Sequence, residues 1–190
     1  MGNASPFGSL NVRVFADVGD PTELQHYLSM SWIAGATTNP SLMAKHGHFD
    51  AISFAKEVAP SLEGRSLSIV PMAANADEFL EQSLLLSSID ANIFIKVPII
   101  DNSQDINQRI ASSLINSVVG VHITCVHTLE QAAIATEILR GAGRGFISVF
   151  AGRVSDSGES PLQLVSGAAA LTREVDGVEL VLACTREPLN

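Results

Sequence analysis

Apolar, strand-like runs alternate with helix-like stretches along the whole 190-residue chain, and that alternation restricts the fold more than any single motif. Strands are expected at residues 12–18, 35–39, 66–72, 91–98, 121–126, 146–151 and 178–185. Between them lie helix signals. Asp20-Pro21-Thr22-Glu23 supplies a cap, a first-turn proline and an acid ahead of Leu24, Tyr27 and Leu28. The spacing of Leu42, Met43, Ile52, Phe54 and Val58 predicts helix after Pro40-Ser41, and Asn75 caps a helix through Phe79, Leu80, Leu84 and Leu85. Further helices are expected at 103–117, after the Thr128 cap through Leu139, and from Pro161 through Leu171.

Short links between alternating elements argue for right-handed βαβ units and a parallel sheet covered by helices. The unit recurs about every 26 to 28 residues, which suits a (β/α)8 barrel of the TIM type better than an open sheet, although periodicity alone leaves a doubly wound fold standing. A closed barrel takes eight strands, and seven are evident. The sequence is then a truncated version, or a short segment substitutes, or the barrel stays open between its first and last strands. Residues 1–10 read as a Gly/Ser/Pro leader and 11–190 as a single domain.

Composition excludes several function classes. With 46% hydrophobic and 16% charged residues the chain has a globular core, and a formal net charge of −9 without a Lys/Arg cluster disfavours nucleic acid and acidic membranes. No apolar run reaches the ~18 residues of a membrane span. Residues 1–6 lack an export signal, and Pro6 stands where a myristoylation motif wants Ser or Thr. Cys125 and Cys184 fall in separate apolar segments and read as buried, reduced thiols, which suits the cytoplasm. His46 and His48 have no third ligand nearby, so no metal site is expected.

One lysine stands apart. Lysine occurs only at positions 45, 56 and 96; Lys45 and Lys56 have polar neighbours, whereas Lys96 sits between Ile95 and Val97 in a strand-like run. An ammonium buried there is costly, and losing its proton relieves the cost and leaves a nucleophile able to form a Schiff base with a ketone or aldehyde. Pairing with a core carboxylate such as Asp17 is the other reading.

In a barrel of this type function sits at the C-terminal ends of the strands. Asp17, Thr37, Asn39, Lys96, Thr124, Ser148 and Thr185 fall at such ends, and Arg153 follows in the loop after the sixth strand. Alternation puts Asn92, Phe94 and Lys96 on one side of their strand, as it does His122 with Thr124 and Ser148 with Phe150. Any one Thr or Ser taken alone reads equally as a local backbone cap.

Phe15-Ala16-Asp17, Gly35-Ala36-Thr37-Thr38-Asn39-Pro40-Ser41-Leu42, Ile95-Lys96-Val97-Pro98 and Val149-Phe150-Ala151-Gly152-Arg153 resemble the transaldolase and fructose-6-phosphate aldolase family in its short bacterial-type branch. The likeness runs from about residue 12 to 188 and implies a transaldolase that needs no cofactor, acts on sugar phosphates and assembles as a homo-oligomer. It makes Lys96 the Schiff-base lysine and Asp17 the proton-transfer carboxylate, with Thr124 completing the catalytic set. Thr37 and Asn39 would orient the lysine and the substrate hydroxyls, Ser148 and Phe150 would line the substrate site, and Arg153 and Thr185 would hold the phosphate. Phe150 with Ser148 leans towards transfer rather than cleavage.

Two positions depart from the family pattern. Val70 stands where the family carries Glu or Gln beside a catalytic water, and loss of such acid–base help costs turnover about 10²–10⁴-fold. His122 replaces the usual fifth-strand Asn, either as a packed core residue or as a proton carrier. The family's eighth strand, eighth helix and C-terminal helix are expected to have no counterpart.

Overall fold

The computed structural model describes residues 12–99 and 106–185, and the chain divides into two compact units, with the boundary between Ile95 and Lys96. Seven strands are found among the described residues: β1 (Val14–Asp17), β2 (Ile33–Thr37), β3 (Ser66–Ile69), β4 (Ile93–Pro98), β5 (Gly120–Val126), β6 (Gly145–Phe150) and β7 (Val178–Ala183). They follow one another in the sheet in chain order, β1 through β7, and the registered pairs are parallel. Sequential order is the winding of a TIM-barrel type sheet. A doubly wound fold reverses its strand order at a switch point, and none occurs here.

In the first unit α1 (Pro21–Leu28), α2 (Pro40–Lys45), α3 (Ala51–Val58) and α4 (Ala76–Ile89) link β1 to β4. Each begins on a side-chain cap: Asp20, Asn39, Asp50 and Asn75 accept from the backbone N–H of Glu23, Leu42, Ile52 and Glu78 at 2.8–3.0 Å. Leu24, Leu28, Phe54, Val58 and Leu86 bury the helices' apolar stripes, and Ile33, Leu67, Ile69, Ile93 and Ile95 supply the sheet's share of the core.

In the second unit α5 (Ile106–Asn116), α6 (Leu129–Leu139), α7 (Ala151–Asp156) and α8 (Pro161–Thr172) accompany the end of β4 and strands β5 to β7. Thr128 and Gln131 form a capping box at the start of α6. Gly177 turns the chain into β7 with φ 76°, packed against the Gly143 backbone where no Cβ would fit. Val97, Leu114, Ile123, Val126, Leu139, Ile147 and Val149 are among its buried residues.

Several expected boundaries move. The helix read across 42–58 is two helices, broken where Gly47 takes φ 81°. β2 starts two residues earlier than expected, and it also ends two residues earlier, because Asn39 is committed to capping α2. β3 stops at Ile69, short of Val70, and β7 stops at Ala183, so Thr185 lies beyond its strand. Arg153 is not in a loop: Ala151 already opens α7 directly after β6. The leader at 1–10 and the start of the 103–117 helix lie outside the described residues.

Candidate active site

Lys96 lies in β4 among Ile95, Val97 and Phe94, and the residue is 8% exposed, buried as its apolar neighbours in the sequence suggested. The next strands of its unit bring more buried polar groups. His122, Thr124 and Ser148 are 1%, 3% and 2% exposed. In the β5–β6 register His122 stands opposite Phe146 and Ile123 opposite Ile147, after which Val126 meets Val149. Two residues, Thr124 and Cys125, therefore face the single Ser148, and Cys125 absorbs the extra length with φ 64°. This is a β-bulge, a device that re-aims side chains beside functional sites.

The His122 ring lies 5.4 Å from the Phe146 ring, and Nε2 is hydrogen-bonded to Ser148 Oγ. Burial, reinforced by the positive charge of Lys96, holds the imidazole well below its usual pKa, so it is neutral. The thiol of Cys125 is pushed up by burial, against the opposing effects of a hydrogen bond with Thr124 and of the Lys96 charge, while Cys184 raises it further. His122 and Cys125 both respond electrostatically to Lys96.

Phe150 is half-buried, with the His127 ring edge-on at 5.6 Å. Arg153 projects from α7 with its side chain 61% exposed, and Nη1 lies 3.8 Å from Asp156, an exposed pair worth under about 1 kcal/mol. The Gly152 N–H donates to the Cys184 carbonyl at 2.9 Å, tying the start of α7 to the end of β7 and bringing the backbones of Arg153 and exposed Thr185 together. A shallow crevice lies near Val97, Ile99, Ala111 and Ile138.

In the first unit Asp17 and Thr37 share a register, and Thr37 donates to Asp17 Oδ1 at 2.6 Å. Asp17 is exposed and Thr37 is 7% exposed. Asn39 spends its oxygen on the α2 cap, which leaves the amide N–H₂ as the group to donate. Val70 is half-buried just beyond β3. The sequence reading missed Ser68. It stands opposite Thr37 and Phe94 in the register, is fully buried, and among the described residues its hydroxyl has no partner. The signal was there, since Ser66 and Ser68 alternate in a short strand, but serine in a strand seldom announces a role.

Among curated proteins, three relatives are each named "Probable transaldolase". Those from Clostridium perfringens and Brevibacillus brevis are each 29% identical over 181 residues, and the one from Sorangium cellulosum is 30% identical over 180. Each alignment covers 94% of this chain and 79% of the relative. The Transaldolase/Fructose-6-phosphate aldolase family matches residues 14–187. A match that opens at the first residue of β1, passes through the buried-lysine strand and continues past β7 makes the chain a member of the transaldolase and fructose-6-phosphate aldolase family.

Proposed function

We propose that the chain is a Schiff-base transaldolase moving a dihydroxyacetone unit between sugar phosphates in the cytoplasm, as a homo-oligomer. The observation that carries this reading is Lys96, a lysine buried in β4, in the same unit as the buried polar side chains of His122, Thr124 and Ser148. Its amine adds to the ketose C2 carbonyl, and loss of water from the carbinolamine gives a protonated imine. That imine accepts the electron pair of the C3–C4 bond as the C4 hydroxyl gives up its proton. The aldose leaves, and an enamine remains on Lys96 to attack an acceptor aldehyde.

Family likeness assigns the proton transfers to Asp17, whose Oδ1 the Thr37 hydroxyl fixes, with Thr124 as the third catalytic member. Thr37, Asn39, Ser148 and Phe150 are the proposed sugar contacts. Arg153, displaced from Asp156, grips the phosphate with Thr185, and this remote binding positions the carbonyl at Lys96. The apolar Val70 favours a second reading, a sugar-phosphate binder that does no chemistry.

Borohydride reduction with fructose 6-phosphate, read by mass spectrometry, decides between them. The enzyme reading expects a stable adduct on Lys96, absent in Lys96→Ala. Binding without adduct, or activity surviving Lys96→Ala, refutes it. Transfer to erythrose 4-phosphate, rather than release of free dihydroxyacetone, then separates a transaldolase from an aldolase.

A further inference from the structure

His122 is the buried titratable group for which the chemistry above has no use. Its ring packs on Phe146, Nε2 meets Ser148 Oγ, and among the described residues Nδ1 is buried without a hydrogen-bond partner. A neutral imidazole carries one N–H, and the geometry selects which nitrogen holds it. A proton on Nδ1 would be a buried donor with nowhere to go, whereas a bare lone pair there costs less, because orphaned N–H groups are the rarer and dearer exception. The proton therefore sits on Nε2 and points at Ser148 Oγ. With a lone pair of Oγ so engaged, the serine's own O–H must donate elsewhere.

We propose that His122 is a positioning residue for the Lys96 site: as the Nε2–H tautomer it donates to Ser148 and turns the serine hydroxyl into a fixed donor towards an oxygen of the bound sugar. The inference rests on the transaldolase reading. It adds a task for the position at which this chain departs from the family's Asn, in a layer where the ring is buried. Asn can copy the Nε2–H donor through its amide; Phe copies only the shape and the packing on Phe146.

Two experiments test it. In nitrogen-15 NMR of the unliganded protein, His122 is expected to show a protonated Nε2 and a bare Nδ1, without titrating around pH 6.5. A protonated Nδ1 or an imidazolium overturns the proposal whatever the activity. In turnover, His122→Phe and Ser148→Ala are each expected to lower kcat for transfer at least about tenfold, with the borohydride adduct on Lys96 still forming. His122→Asn retains most of the activity. The double variant Ser148→Ala/His122→Phe loses no more than either single one. If His122 were merely packing, Phe would be the better replacement and Asn the worse; that order overturns the proposal. No adduct in the unmodified protein sinks the transaldolase reading and this one together, whereas an adduct with the reversed order sinks this one alone.

Discussion

Between about pH 6.5, where an unfolded histidine titrates, and the much lower pKa that burial and the Lys96 charge impose on His122, the unfolded chain binds a proton that the native chain refuses. Protons bound only by the unfolded state make stability rise with pH, so this contribution is fully present above about pH 6.5 and is lost on acidification by up to about 1.4 kcal/mol per unit. Urea unfolding at a series of pH values is expected to show that slope, and His122→Asn to flatten it. An unchanged slope in the variant would mean that His122 is protonated in the fold. The environment behind this behaviour was only half legible in the sequence. Alternation put His122 beside Thr124, but the hydrogen bond to Ser148 depends on a cross-strand register that no local pattern encodes. Lys96 was easier, because a charge set between Ile95 and Val97 stands out against an apolar strand.

Helix ends show the same division at the scale of elements. The caps at Asp20, Asn75 and Thr128 could be read directly, since a short polar residue before an apolar repeat has a local cause. Arg65 could not. From the turn before β3 it donates Nε to Leu62 O at 2.9 Å, Nη2 to Ser61 O at 3.0 Å and Nη1 to Leu28 O at the end of α1. At Leu28 the cation satisfies an acceptor left over at the end of α1 and offsets the helix dipole, and the planar guanidinium reaches all three carbonyls at once. Arg65→Ala is expected to cost about 2 kcal/mol, measured as a lower urea midpoint with unchanged m-value. Arg65→Lys should recover less than half, because one ammonium cannot serve three separated carbonyls. Recovery equal to wild type would show that charge alone matters. The short α7 escaped the sequence reading for a related reason: its N-cap is Phe150, whose side chain makes no cap bond, so nothing local marks where β6 ends and helix begins.

Strand order across the whole chain was legible because strands and helices alternate with short links, and short crossovers keep sequential strands adjacent. Charge, too, belongs to this scale. The formal net charge of −9 at pH 7 disperses the molecules, and it vanishes near the sequence pI of about 4.9. Light scattering at low ionic strength is therefore expected to peak close to that pH and to reverse when neutrality is restored. Acid thus acts twice, once through bulk charge and once through His122, and the two effects separate in one comparison. His122→Asn alters a single buried imidazole that is already neutral in the fold, so it should leave the scattering peak where it is while flattening the stability slope above it. A peak that moves with the variant would mean that unfolding, not lost repulsion, drives the association.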